Sequence, residues 1–175
     1  MNMVFNIFAF LSISFMLQRI QSIYLLLAAL CGIILFFTPI FTLIPGVTAV
    51  DAASYRFSLL SVDSVLNNVA TFQMRFWPLI IINLLVVIIS LATIFNFKNR
   101  KMQLKYCGFL TLIQVLLIVL LAFDTEQLRI TIGPGHILNF SLAAMFVVLP
   151  LLFIRLAGRA IKKDDDLVRS ADRLR

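Results

Sequence analysis

Four long apolar runs constrain the fold of this chain more than any other feature of its sequence. They occupy residues 23–44, 76–97, 106–123 and 137–154. A helix needs roughly 20 apolar residues to cross the hydrocarbon core of a bilayer, which is about 30 Å thick. The mean hydropathy is +1.04 and only 13% of residues are charged, against about a quarter in soluble domains. We therefore predict an integral membrane protein with one four-helix membrane domain, residues 16–154.

The distribution of Lys and Arg predicts the orientation of the helices. The connection 96–105 contains four cations and no acid, and residues 155–175, the charged tail, contain seven more cations. Cytoplasmic segments of membrane proteins carry an excess of Lys and Arg, so we place both segments in the cytoplasm. With Arg19, this puts twelve of the fifteen cations inside; the net charge is +8 inside and −1 outside. Both termini are predicted to be cytoplasmic.

Residues 1–15 are apolar, carry no charge and are too short to cross a bilayer. They also lack the positively charged start of a secretory signal. Three interpretations stay open: an interfacial helix, an extension of the first membrane helix, or an upstream start-site choice. We favour the third, because Met16 begins a more conventional membrane-protein start, with Arg19 and three other polar residues before the first apolar run.

The two connections predicted to lie outside the cytoplasm show the period-two alternation of half-buried strands. It occurs at residues 55–60 and at residues 128–132, where Gly133-Pro134-Gly135 ends it. Two strands alone are marginal, so a third strand near residues 69–74 or packing on the helix ends would be needed. We therefore predict an all-α membrane protein, a four-transmembrane-helix bundle, with a small β cap from the two extracytoplasmic loops as a further hypothesis.

Few side chains suit catalysis or metal binding. Cys31 and Cys107 are each alone in or at the edge of an apolar run, which argues against thiol oxidoreductases with paired loop cysteines. His136 is the one histidine, beside a Gly-Pro-Gly turn, and metal or nucleophilic sites need several convergent groups. A solvated loop histidine is the simpler interpretation. We predict no catalytic residue, no metal site and no cofactor.

Polar residues within the runs are few and uncharged: Asn83, Ser90, Thr93, Thr111, Gln114, Asn139 and Ser141. Such groups commonly hydrogen-bond between helices. A transport pathway usually needs an ionisable residue at mid-membrane, and none lies between the predicted helix ends. Helix–helix contact is therefore the favoured role of these residues.

The charged tail divides into two parts. Arg155, Arg159 and Lys162 recur at helical spacing, with Lys163 adjacent, and suit anionic lipid headgroups. Beyond three consecutive aspartates, apolar residues at 167, 171 and 174 share one helical stripe, and opposite charges stand three or four residues apart. We predict a short amphipathic cytoplasmic helix there.

Both ends of the chain carry recognisable segments. MLQRIQSIYLLLA at residues 16–28 and RAIKKDDDLVRSADRLR at residues 159–175 resemble those of an uncharacterised family of small four-helix inner-membrane proteins of Bacteroidota. Members start at an M-x-Q-R-I-Q segment and end in a K-D-[DE]-x-L-V-[RK]-S-x-D-R-L-R tail. Residues 1–15 depart from that pattern. The resemblance implies a bacterial inner membrane and four helices, and it supplies no activity.

The predicted function is non-enzymatic: an accessory or scaffold subunit that docks a larger complex through its basic cytoplasmic loop and tail. The expected partners are membrane lipids and a protein complex; we expect no DNA, and the acids that interrupt the tail disfavour RNA. The alternative is a lipid- or quinone-handling enzyme with a site at the outer interface, around Trp77, Asp124 and His136. The proposed docking residues are Gln18, Arg19, Gln21, Asp165, Asp166, Arg169, Asp172 and Arg173.

Overall fold

The computed structural model describes residues 2–46, 54–64, 69–71, 77–96, 99–132 and 136–173, and the side chains of most of these outside residues 2–19 and the end of the tail. Four long helices make up most of this part of the chain: α1 (Asn2–Phe37), α2 (Trp77–Phe95), α3 (Arg100–Ile132) and α4 (Met145–Arg173). Each contains a stretch long and apolar enough to cross a membrane. Residues 2–15 form the N-terminal part of α1; the start-site choice stays a prediction.

The helices form a four-membered ring in which each helix packs on its neighbours, α1 on α2 and α4, and α3 on α2 and α4. Two side-chain amides cross between them. Asn83 Nδ2 of α2 donates to the carbonyl oxygen of Gly32 on α1 at 2.9 Å, and Gln114 Nε2 of α3 donates to the carbonyl oxygen of Val147 on α4 at 2.7 Å. Both side chains are buried, as expected of polar groups that join helices.

The outward-facing side chains of the bundle are apolar. Leu112, Val119 and Phe123 of α3 and Ile88 of α2 are each more than half exposed. Monomeric soluble proteins rarely expose apolar surface on this scale. This is the surface expected of a bundle that contacts lipid.

A five-stranded antiparallel sheet lies at one end of the bundle, in the order β4-β3-β2-β1-β5. Its strands are β1 (Pro39–Pro45), β2 (Tyr55–Ser58), β3 (Val62–Ser64), β4 (Val69–Thr71) and β5 (His136–Phe140). The chain is therefore mostly helical with a small sheet, rather than all-α. The strands predicted near residues 55–60 and 69–74 are present in part, and residues 72–74 lie outside the described part of the chain.

The first helix ends seven residues earlier than predicted, because residues 39–45 form a strand that lies between two others in the sheet. Pro39 has no backbone N–H and disfavours helical geometry in the residue before it. Thr38 Oγ1 donates to the carbonyl oxygen of Ile34 at 2.9 Å, which satisfies a carbonyl left free at the helix end. β1 then pairs with β2 on one side and β5 on the other.

The strand predicted at residues 128–132 is wrong, since α3 continues as a helix to Ile132. Leu121, Thr125 and Leu128 are buried at helical spacing, so the apolar face of the helix continues past the membrane-length run. Thr125 Oγ1 also donates to the carbonyl oxygen of Leu121 at 2.7 Å. β2 consequently pairs with β1 and β3.

The fourth helix begins later than predicted. Residues 136–140, predicted mostly as its start, form β5 and pair with β1. A 3-10 turn, Leu142–Ala144, follows, and Ser141 Oγ accepts from the backbone N–H of Ala143. α4 then starts at Met145.

The sheet packs on the helix ends through one apolar cluster. Phe41 of β1 is 1% exposed and stacks on Phe57 of β2, with ring centroids 4.5 Å apart. Leu35, Leu79 and Leu117, one from each of the first three helices, belong to the same cluster. The sheet is thereby fixed to the bundle.

Candidate functional site

The end of the bundle opposite the sheet gathers most of the charged residues, and we call it the basic end. It comprises α1 around Gln21, the turn between α2 and α3, and α4 beyond Ile161. The described strands lie in the connections between α1 and α2 and between α3 and α4, at the other end of the bundle. No described strand therefore lies among these three segments. The predicted docking and headgroup residues fall on or next to this end.

The turn between α2 and α3 is held by backbone and amide hydrogen bonds. The carbonyl oxygen of Asn99 accepts from the backbone N–H groups of Met102 and Gln103, each at 3.0 Å. Gln103 is buried, and its Nε2 donates to the carbonyl oxygen of Thr93 on α2 at 3.0 Å. These contacts fix the first turn of α3 and therefore the position of Arg100.

Arg100 joins this turn to α4. Its Nη2 lies 3.3 Å from Asp164 Oδ2, and its Nη1 donates to the backbone carbonyl oxygen of the same residue at 3.3 Å. The two side chains are 28% and 14% exposed, so water screens the pair less than it would a fully exposed one. One guanidinium thus binds both the carboxylate and the backbone of α4 at the point where the tail leaves the bundle.

The charged tail continues α4 without a break. The prediction of a headgroup segment followed by a separate short helix is wrong in this respect, because residues 145–173 form one helix. Its 29 residues extend about 43 Å at 1.5 Å per residue, which exceeds the roughly 30 Å of a hydrocarbon core. The helix therefore holds the charged residues at a defined distance and angle from the bundle.

The predicted docking residues fall into three groups. Asp165 is partly exposed and Asp166 is exposed on α4. Gln21 is 6% exposed, so its side chain lies inside the bundle and does not belong to a docking surface. The structure describes only the backbone, which is helical, at the other five predicted docking residues: Gln18, Arg19, Arg169, Asp172 and Arg173.

The four predicted headgroup residues are all exposed, but they line two different grooves. Arg155, Arg159 and Lys162 border a groove between α3 and α4. Lys163 borders a second groove with Asp166 and Leu167, closer to the end of the tail, which Arg159 and Lys162 also line. Arg159 and Lys162 therefore line both grooves, whereas Arg155 lines only the first and Lys163 only the second.

The residues of the alternative site lie at the sheet end, on three different elements. His136 is the first residue of β5, opposite Pro45 of β1, and its ring lies 6.0 Å from that of Tyr55. It is 8% exposed, so the expectation of a solvated loop histidine is wrong. Trp77 begins α2 and is exposed, and Asp124 lies in α3 about two turns before its end. Packing in the sheet explains the position of His136.

Within the described ranges, no group of three or more His, Cys, Asp and Glu side chains could hold a metal ion. Cys31 and Cys107 are both buried and free. They lie on α1 and α3.

Comparison with known proteins places the chain in a family. The model of DUF4293, a domain of unknown function, matches residues 17–174. The chain belongs to the DUF4293 family. The matched region runs from the segment before the first membrane-length run to the tail, so it includes all three segments of the basic end in this DUF4293 member. No curated protein matches the sequence.

Two features of the basic end were not predicted. The contact between Arg100 and Asp164 joins residues 64 positions apart, and no local pattern pairs a loop cation with one of three consecutive aspartates. The groove beside Arg155 is lined by Gly108 of α3 and Gly158 of α4. Gly108 lies in the third apolar run and Gly158 in the charged tail, and small residues on two helices are the signal that could have suggested close helix approach.

Proposed function

We propose that this chain is a non-enzymatic protein of the bacterial inner membrane that docks a larger protein complex through its basic end. Both termini are cytoplasmic in this proposal. The excess of Lys and Arg at that end supports the orientation. The resemblance of both chain ends to small inner-membrane proteins of Bacteroidota supports the location.

One observation carries the docking function: α4 continues unbroken from its apolar part to Arg173. A tail that served only as a hydrophilic chain end in water would not need a fixed geometry. Here the helix presents positions 165, 169 and 172 on one face, since residues three and four apart are neighbours. Arg100 holds the base of that helix through Asp164. A preformed surface loses less conformational entropy on binding than a flexible one.

The test is site-specific photo-crosslinking in the native host, followed by mass spectrometry of the cross-linked proteins. One probe replaces Asp166, which is exposed on the tail, and the control probe replaces Leu156, which is exposed three turns earlier on α4. We expect a protein cross-link at position 166 that is absent at position 156. The same set of cross-linked proteins at both positions would contradict docking through the tail.

A second pair of variants tests the need for a continuous helix. Ser170→Pro removes a backbone donor and clashes with the carbonyl of Asp166, which breaks the helix, whereas Ser170→Ala removes only the hydroxyl that donates to Leu167. Co-purification of the cross-linked partner should fall strongly in Ser170→Pro and stay unchanged in Ser170→Ala. Equal recovery in both variants would mean that the partner reads a flexible peptide.

A further inference from the structure

The groove between α3 and α4 lies in the half of the bundle away from the sheet. It encloses about 230 Å³. Its floor includes Cys107 and Gly108 of α3 and Gly158 of α4, and its border on α4 carries Arg155, Arg159 and Lys162. An apolar floor thus adjoins a cationic border.

The two glycines explain the shape of this groove. A Cβ on Gly158 would lie 3.6 Å from Cys107 Cβ, in ordinary contact, so the two helices approach closely there. A Cβ on Gly108 would meet nothing within 4 Å. Space above Gly108 is therefore open, although it adjoins a close helix contact.

The three cations lie along one side of α4. They are spaced at i, i+4 and i+7, which spans about 10 Å along the helix. The ion pairs that join described residues, Asp164 with Arg100 and Glu126 with Arg129, include none of the three. Asp166 lines a second groove with Arg159 and Lys162, so it lies near the tail end of this row of cations, away from Arg155.

Arg155 lies well inside the end of the bundle. Arg155 precedes Asp164 by nine residues, about 13 Å along the helix axis. It directly follows Ile154, which is fully buried in a cluster with Leu25 and Cys107. A charged side chain beside an apolar layer is costly in lipid unless it reaches an anion or water. A phosphate at the membrane surface supplies that anion.

We propose that this groove binds one anionic phospholipid. The headgroup phosphate lies between Arg155, Arg159 and Lys162, and an acyl chain runs over Gly108 toward Leu112, which is 70% exposed. The surrounding membrane supplies phospholipids to the groove, and the positive charge of its border is complementary to an anionic headgroup. The site is separate from the docking surface at residues 165–173, and it makes the membrane domain selective for lipid charge.

The experiment is native mass spectrometry of the delipidated full chain in detergent, titrated with phosphatidylglycerol. Phosphatidylcholine with the same acyl chains and inorganic phosphate are titrated in parallel. We expect one phosphatidylglycerol to bind more tightly than phosphatidylcholine, and inorganic phosphate at the same concentration not to displace it. Neutralising one border cation, by Arg155→Gln or Arg159→Gln, should weaken binding about fivefold.

Two variants separate the groove from general electrostatics. Gly108→Leu fills the open space and leaves every charge in place, so it should abolish the single tight site. Lys163→Gln removes one neighbouring charge that does not line this groove, so it should leave the affinity unchanged. Size-exclusion profiles and circular dichroism check that the variants remain folded.

Three results would overturn the proposal. If wild type and Gly108→Leu bound phosphatidylglycerol with equal affinity, the lipid would not bind in this groove. Equal losses in Lys163→Gln and Arg159→Gln would indicate diffuse attraction to any cationic surface. A lipid-free dimer that Gly108→Leu dissociates would assign the groove to a second copy of the chain.

Discussion

Arg100 Nη2 and Asp164 Oδ2 lie 3.3 Å apart across 64 residues of sequence. The same guanidinium donates to the backbone carbonyl oxygen of Asp164. The start of α3 and the start of the charged tail are therefore joined by one side chain, which holds the tail helix against the turn between α2 and α3.

Asp164→Asn should loosen the tail without unfolding the bundle. A single ion pair near the surface contributes on the order of 1 kcal/mol, and this pair lies at the end of the bundle outside the two apolar clusters, so the effect on global stability should be small. Amide hydrogen exchange should become faster in residues 165–173 and stay unchanged in the sheet. Asp166→Asn removes an equal charge from an exposed position and is the control. Unchanged exchange in Asp164→Asn would show that the ion pair does not restrain α4, since the bond from Arg100 to the backbone carbonyl oxygen of residue 164 stays in place.

Gly32→Ala should destabilise the contact between α1 and α2. The added Cβ would lie 2.7 Å from Val87 Cγ2, which is closer than real contacts allow. Overpacking of this kind typically costs about 1–3 kcal/mol. Thermal unfolding in detergent measures the loss, and the double variant with Val87→Ala should recover part of it because the clashing methyl is gone.

A matched substitution is available on α3. Gly108→Ala should leave stability unchanged or raise it by up to about 1 kcal/mol, because its Cβ meets nothing within 4 Å and alanine favours helices. If Gly108→Ala lowered the unfolding temperature as much as Gly32→Ala, the close approach at Gly32 would not be the cause.

The buried polar residues should differ in their contributions to stability. Gln114→Leu removes the hydrogen bond from Nε2 to the carbonyl oxygen of Val147 and also the buried Oε1, which has no partner among the described residues, so it should cost about 0.6 kcal/mol. Ser90→Ala removes a hydroxyl that is fully buried and has no hydrogen-bond partner among the described residues, so it should be neutral or stabilising. Unfolding of both variants in the same detergent gives the comparison. If Ser90→Ala lost more stability than Gln114→Leu, the hydrogen bond from the Gln114 side chain would make no net contribution to stability.

A cysteine pair in the sheet tests both the strand pairing and the orientation. Thr42 of β1 lies opposite Asn139 of β5, and paired antiparallel residues have Cα atoms about 4.5–5.5 Å apart, within the range of disulfides. Thr42→Cys with Asn139→Cys should therefore form a disulfide in cells, because the proposal places the sheet in the oxidising periplasm. Non-reducing electrophoresis against both single variants detects it. A reduced pair in cells that oxidises readily in purified protein would place the sheet in the cytoplasm.

The apolar runs predict that the four helices exist, but they do not predict where the helices end or where the strands lie. The run at residues 23–44 is apolar throughout, so hydropathy could not separate the end of α1 from β1; Pro39 was the residue that marked it. Residues 128–132 satisfy period two, but Leu128 also continues the buried helical stripe of Leu121 and Thr125, and burial of that stripe favours the helix. β5 depends on pairing with β1, about 95 residues earlier in the sequence.

At the basic end, the tail was predicted to be helical because its charges and apolar residues repeat at helical spacing. Its continuity with the preceding membrane helix is not predicted by hydropathy, because the apolar run ends at Ile154 and the charged residues begin at Arg155. Gln21 was assigned to the surface because it is polar, and its burial follows from packing inside the bundle. The bond from Arg100 to Asp164 depends on tertiary packing alone.

The pairing of β1 with β5 has a consequence for biogenesis. β1 is synthesised directly after the first helix, and β5 emerges only after the third. Two membrane crossings separate them, so the strands reach the same compartment only when both intervening helices have inserted in alternating directions. A chain that skipped one crossing would leave β1 without β5 as its neighbour, and a quality-control protease could recognise that open edge. Complete pairing of the sheet on one side of the membrane therefore requires that both helices between β1 and β5 have been inserted.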